Sequence, residues 1–238
     1  MQKNYVTGRD DDGNAALHWD MGIDSRMLLL QTATEQYEEE KELLFIPMLF
    51  EGQAVLAYGD FLFYGSVTAR RKGADRNEVV PYSRSHWLKY RVSDELSVRA
   101  GRMVAPFGVQ MPDHTEYTRR DNGFDKYDQT YGVQLDWQAE DVAVSAMVFA
   151  GNYLIGSPQE QERGASVVAE YLLPGRAAIG ISLLGGRSEL VGRMAAAAFV
   201  RAKLWFKTYT ILEVDGQRRS SVEGTGSEDA LTTLARLG

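Results

Sequence analysis

The sequence predicts an all-β fold, an antiparallel up-and-down transmembrane β-barrel with short turns at one end and long loops at the other. Segments of about ten residues alternate apolar and polar side chains with period two, which is typical of strands whose two faces meet different environments. Tight turns alternate with long connections, as they do in outer-membrane barrels. No segment of helical period is long enough to form a crossover between parallel strands.

Composition excludes several classes of protein. The chain has 238 residues and a net charge of −7, and its longest basic run is Arg70-Arg71-Lys72, so no nucleic acid is expected as a partner. It has no cysteine, which excludes disulfides and thiol nucleophiles. The longest apolar run, at 43–50, contains Pro47 and is well short of the ~18 residues that a transmembrane helix needs.

The alternation of apolar and polar residues is clear in only part of the chain. We expect residues 1–51 to form a mixed N-terminal segment that contains the first strands, and residues 52–238 to form the antiparallel strands of the barrel, roughly ten in all. The segment 195–198 is rich in alanine but continues into strand-like sequence, so we interpret it as part of a strand.

The side-chain alternation separates an apolar face from a polar one. At 87–92, Leu88, Tyr90 and Val92 oppose Trp87, Lys89 and Arg91. The same pattern recurs at 96–101 and most clearly at 131–137. In a membrane barrel the polar face lines a wet lumen, where fixed charge sets ion selectivity. The residues that we expect to line this lumen are Lys89, Arg91, Arg99, Gln134 and Asp136.

Connections between these segments fall into two classes. The short ones carry turn-forming residues and join hairpins. They lie at 93–95, 138–141 and 174–176, and the long connections lie at 70–84, 104–130, 151–164, 185–193 and 215–229.

The loop at 104–130 is the longest and most charged connection. Loops of this length in compact folds are usually functional. We expect it to fold inward and narrow the channel, with Arg119 and Arg120 near the mouth. An equally weighted alternative is that these two arginines only pair with Asp121 and Asp125 in a solvated loop. The residues predicted for the constriction are Asp113, His114, Glu116, Arg119 and Arg120.

Two further expectations concern the outward face. Arg102 shares the parity of Val98 and Ala100, so a strict pleat places it towards lipid unless it lies at the rim or a bulge rotates it inward. Aromatic residues near strand ends suit the interfacial girdles of a membrane barrel, or are ordinary strand formers. These aromatics are Trp87, Tyr131, Trp137, Tyr171, Trp205 and Tyr209.

Catalysis and metal binding have little support. The three histidines, His18, His86 and His114, form no metal-binding spacing, and Asp113 with His114 is the single candidate acid–base pair. No nucleophile motif of the GxSxG type is present. We therefore expect no enzyme, no catalytic residue, no metal and no cofactor.

The stretch RAGRMVAPFG, at 99–108, resembles the strand-to-loop passage of Gram-negative outer-membrane porins, of the phosphate-selective type or a related porin-like family. The preceding YRVSDELSVRAGR and the following YGVQLDWQAEDVAVSAMVFAGNY resemble the flanking hairpins of these proteins. The resemblance implies a pore in the outer membrane of a Gram-negative bacterium. It also implies contact with the lipid bilayer, passive diffusion of small polar or anionic solutes, and a homo-oligomer.

The ends of the chain depart from that family, since it starts without a signal peptide and stops without a final aromatic residue. We therefore expect a fragment of a longer barrel. Two alternatives to a channel stay open. One is a structural or scaffold barrel whose lumen is filled by a partner protein, and the other is a soluble all-β module, for example one that binds carbohydrate.

Overall fold

The residues that the structure describes form one sheet of twelve strands. The computed structural model describes residues 8–10, 12–32, 42–72, 78–109, 129–152, 161–174, 177–205, 208–221 and 226–237, and all regular secondary structure in these ranges is β-strand. Each strand neighbours the next in chain order, which confirms the predicted up-and-down fold. Within the described ranges, no helix is long and apolar enough to span a membrane.

The chain divides into two compact units, Met1–His86 and Trp87–Gly238. Every pair of neighbouring strands whose register is described is antiparallel. The strands are β1 (Leu17–Thr32), β2 (Glu42–Tyr58), β3 (Phe61–Lys72), β4 (Glu78–Arg91), β5 (Leu96–Val104), β6 (Gln129–Gln138), β7 (Val142–Phe149), β8 (Arg163–Leu173), β9 (Ala177–Arg187), β10 (Val191–Trp205), β11 (Thr208–Ser221) and β12 (Ser227–Leu237).

Local sequence shapes the first unit. The register between β1 and β2 shifts between Arg26 and Met27, where Pro47 on β2 lacks the N–H that a ladder hydrogen bond needs. The turn from β2 to β3 passes through Gly59, whose φ of 58° is a conformation that favours glycine. Arg84 and Glu51 form a buried ion pair in this unit.

The strands are more numerous and longer than expected from the sequence, with twelve instead of about ten. Only residues 188–190 separate β9 from β10, although 185–193 was expected to be a long connection. Likewise, β11 continues to Ser221, well into the connection expected at 215–229. Backbone pairing does not require an apolar side chain, so the ladder continues into polar sequence beyond the alternating segment.

Side-chain burial in the second unit is inverted relative to a soluble protein. On β9, Ile181 and Leu183 are 60% and 55% exposed, whereas Ser182 between them is 1% exposed. On β11, Leu212 and Val214 are exposed on either side of the buried Glu213. We call the face that carries the buried polar residues the inner face, and the opposite, apolar face the outer face.

This inversion has a physical meaning. Water-soluble proteins rarely leave a wide apolar surface exposed, because its burial is the main driving force of folding. A strand that is apolar outside and polar inside instead matches a barrel wall between lipid and a polar interior.

The inner face is packed by side chains that lie over glycines of neighbouring strands. A side chain at Gly180 would overlap the ring of Phe199, and one at Gly186 would overlap the carboxylate of Glu162. Glu162 crosses β9 to reach Arg193 on β10, with 2.5 Å between Oε2 and Nη2. A second ion pair joins Glu170 on β8 to Arg201 on β10. Gly186 on the intervening strand therefore lets Glu162, which directly precedes β8, meet Arg193 on β10.

Replacing Gly180 by alanine should destabilise the fold, because the new methyl group overlaps the Phe199 ring. Overpacking of this kind costs about 1–3 kcal/mol. Gly185→Ala is the matched control on the same strand, since a Cβ there has no atom within 4 Å. Urea unfolding of the protein in phospholipid vesicles, followed by gel mobility, measures both variants. Equal midpoints for the two variants would contradict the packing described here.

Candidate functional site

The inner face of β4 carries the first part of the site. Leu88, Tyr90 and Val92 are exposed on the outer face, while Lys89 and Arg91 between them are partly buried. The charge of Lys89 interacts with those of Arg91, Arg99 and Asp136. The structure therefore brings together the residues predicted from the alternation. Their role as pore lining stays a prediction.

Asp136 on β6 is the hub of this group. Its carboxylate accepts two hydrogen bonds from Arg99, from Nε at 2.8 Å and from Nη2 at 3.1 Å. Gln134 Nε2 and Ser145 Oγ also donate to it, each at 2.7 Å. Bidentate pairs between arginine and a carboxylate are strong and directional, so Arg99 is held in one orientation with its charge balanced.

Trp87 completes the group. The guanidinium carbon of Arg99 lies 5.5 Å from the centroid of the Trp87 ring, within the range of a cation–π interaction. The sequence suggested Trp87 for an interfacial girdle, but its ring lies with Arg99 on the inner face. Its parity with Lys89 and Arg91 was the signal for this position. We call Trp87, Lys89, Arg91, Arg99 and Asp136 the basic wall.

Lys89 differs from Arg99 within the basic wall. Arg99 is paired with Asp136, whereas Lys89 makes no ion pair with any residue that the structure describes. Lys89 therefore adds to the basic wall a positive charge that no ion pair with a described residue balances. That charge can attract an anion, and its effect is strongest where water is scarce.

The long loop begins by turning onto the inner face. The N–H of Gly108 donates to Ser182 Oγ at 2.8 Å, and the N–H of Val109 donates to Glu213 Oε1 at 3.0 Å. Phe107 is 1% exposed and packs in an apolar cluster with side chains from β5, β7, β9 and β10. We call residues 105–109 the loop root.

Val109 enters a second apolar cluster, with Phe199 and Ile211. Gly108 between the two anchors has φ of 54°, a left-handed conformation that other residues rarely adopt. The expected inward course of the loop therefore holds for the loop root. Asp113, His114, Glu116, Arg119 and Arg120, predicted for the constriction, lie outside the described residues.

Arg102 is fully buried, so it does not face lipid, and of the predicted positions the one at the rim agrees with its place near the end of β5. Its Nε donates to Asn152 Oδ1 at 3.1 Å, and its Nη2 lies 3.5 Å from Gln129 Oε1. The register between β5 and β6 is unbroken from Leu96 to Val104. Met103 keeps the parity of Ser97 and Arg99 and packs in the apolar cluster of Phe107, so the alternation continues past Gly101. Arg102 stays on the parity of Val98 and is covered by Gln129 and Asn152 near the end of β5.

Sequence reasoning also missed the anchors of the loop root. Ser182 and Glu213 lie on polar positions of alternating strands, but their partners are backbone groups more than seventy residues away. No local pattern identifies such a contact. Among the described residues, no group of three or more acidic or histidine side chains could hold a metal ion.

Comparison with known proteins shows the fold. No family model and no curated protein matches the chain. The solved structure of OmpT, an outer membrane protein of Vibrio cholerae, in its trimer form, is similar with a TM-score of 0.51 and 13% identity over 93% of this chain and 83% of that one. A loop-L8 deletion mutant of OmpT has a TM-score of 0.50 and 16% identity over 93% and 87%.

The predicted fold class, an outer-membrane β-barrel, is confirmed by this likeness. It also agrees with the predicted location, the outer membrane of a Gram-negative bacterium. The comparison does not extend to the phosphate-selective type.

The exclusion of an enzyme was wrong. The chain shares its fold with OmpT, and that fold is compatible with an enzyme. A barrel can carry catalytic groups on its wall or loops, so the lack of a nucleophile motif in the sequence did not justify the exclusion.

The hydrogen bond from Gly108 to Ser182 can be tested by amide exchange. In Ser182→Ala the Gly108 N–H loses its acceptor, which costs about 1–3 kcal/mol for a buried donor. Hydrogen–deuterium exchange of the peptide that contains the loop root should therefore be faster. Ser166→Ala is the matched control, since Ser166 Oγ has no hydrogen-bond partner in the described structure. Faster exchange in both variants, or in neither, would contradict the assigned contact.

Proposed function

We propose that the chain is the wall of an outer-membrane channel through which small polar solutes, chiefly anions, diffuse passively. The observation that carries this proposal is the inverted alternation of the second unit. Apolar side chains cover the outer face, and buried polar side chains lie on the inner face of β6, β8, β9 and β11. Such a wall separates lipid from a polar interior.

The basic wall supports a preference for anions. Fixed charges on the wall of a channel set its ion selectivity. Because Asp136 balances Arg99, the attraction for an anion falls mainly to Lys89. The phosphate-selective type is a finer proposal of the same kind, and it requires that phosphate permeate or bind better than chloride.

The loop root supports a narrowed channel. Phe107 and Val109 lie on the inner face, away from lipid. The N–H groups of Gly108 and Val109 hold this segment to β9 and β11 by hydrogen bonds. A solute would pass beside the loop root, close to the polar wall formed by the strands.

A filled barrel is the second candidate. The two apolar clusters around Phe107 and Val109 make part of the inner face dry, as in a barrel whose interior holds protein. A soluble binding module is disfavoured by the apolar outer face. A homo-oligomer belongs to the proposal as well, supported by the trimer form of the OmpT structure.

Single-channel recording in planar bilayers tests the channel. We expect discrete conductance steps with anion preference, and Lys89→Gln should lower the ratio of anion to cation permeability. One unit charge about 4 Å from the ion, in bulk water, is worth about 1 kcal/mol. Its removal weakens the attraction of the anion and the repulsion of the cation alike, so the ratio should fall by up to about thirtyfold. The decrease should shrink between 0.1 M and 1 M salt, because the screening length falls from about 10 Å to about 3 Å.

The control for this measurement is the double variant Arg99→Gln/Asp136→Asn. It removes a cation and its balancing carboxylate together, so selectivity should change little. If the double variant lowered the ratio of anion to cation permeability as much as Lys89→Gln does, the assignment of selectivity to Lys89 would be contradicted. An inserted protein that gives no steps would favour the filled barrel.

A further inference from the structure

We infer that Trp87 and Lys89 form a subsite for anions that carry a flat apolar group, such as aromatic carboxylates. The inference rests on the proposed channel and names the solute class that its basic wall would favour. Trp87 and Lys89 are two residues apart on one face of β4, so their Cα atoms lie about 7 Å apart along the strand. A ring and a cation at this spacing match a small molecule with a ring and a carboxylate.

The Trp87 ring is held in place before any solute arrives. Arg99 lies over it at 5.5 Å from the ring centroid, and Asp136 fixes Arg99 through two hydrogen bonds. On its apolar side, Trp87 packs against the cluster that contains Met103 and Phe107. A ring that is already ordered costs a ligand little conformational entropy on binding.

Trp87 lies between an apolar and a charged environment. The apolar cluster that holds the loop root lies on one side of it, and the cations of the basic wall lie on the other. Trp87 is only partly buried, so it still presents apolar surface. An anion with a flat ring can contact that surface while its charge stays beside Lys89, whereas an anion of similar charge without a ring gains only the electrostatic part.

Benzoate and acetate are a matched pair of probes, since both carry one carboxylate and only benzoate has a ring. In bilayers that hold the wild-type channel, each is added to a chloride solution and the loss of chloride conductance is measured. We expect benzoate to reach half of its effect at a concentration at least about fivefold lower than acetate, equivalent to about 1 kcal/mol. Equal effects of the two anions would overturn the subsite.

Variants locate the effect on the ring. In Trp87→Leu, benzoate and acetate should reduce chloride conductance at the same concentration. In Trp87→Phe, which keeps an aromatic ring, most of the difference between the two anions should remain. That result would also show that the position tolerates substitution. Trp137→Leu is the matched control, because Trp137 is exposed on the outer face. A difference between the two anions that survives in Trp87→Leu, or that is lost in Trp137→Leu, would overturn the assignment.

A binding measurement separates this inference from the channel itself. Calorimetric titration of the refolded protein in detergent with benzoate needs no conduction. Heat of binding in wild type that is lost in Trp87→Leu would support the subsite even if no conductance steps were found, and only the channel would then fail. Chloride conductance without benzoate binding would leave the channel in place and overturn the subsite.

Discussion

The pleat of the β-strand is the constraint on which the structure depends. Because successive side chains point to opposite faces, one strand can meet an apolar and a polar environment at once. Ile181 and Ser182 are neighbours in sequence, yet the first is exposed and the second is buried. The backbone groups between them are paired in the ladder, as a lipid environment demands, because each unpaired group there would cost several kcal/mol.

The inner face is not uniform, and its two parts suit different tasks. Around Asp136 the side chains are charged, hydrogen-bonded and partly exposed, so they can meet a hydrated solute. Beneath the loop root the side chains are apolar and closely packed. In such dry surroundings the hydrogen bond from Val109 to Glu213 is stronger than it would be in water, and breaking it would cost more.

The sequence predicts much of this structure wherever the pattern is local. Alternation at 87–92 and 131–137 correctly separates Lys89 and Gln134 from their apolar neighbours, because the side-chain period is a property of the strand itself. The first two strands were harder to predict, since the composition of the first fifty residues is mixed.

Sequence patterns did not predict the contacts between residues that are far apart in the chain. Gly108 is anchored on Ser182, which is far away in the sequence, and Arg102 is buried by Asn152 and Gln129, which follow it by more than twenty residues. The extra length of β9 and β11 reflects backbone pairing, to which side-chain polarity is a weak guide.

The ion pairs that cross β9 tie together three strands that are otherwise joined only to their neighbours. Glu162 with Arg193 and Glu170 with Arg201 connect the segment around β8 directly to β10 and enclose β9 between two bridges. A hairpin pulled from the membrane by a probe tip would normally separate from the next strand one ladder at a time. Here the two ion pairs also resist the separation of β8 from β10, in addition to the ladders that each strand forms with β9.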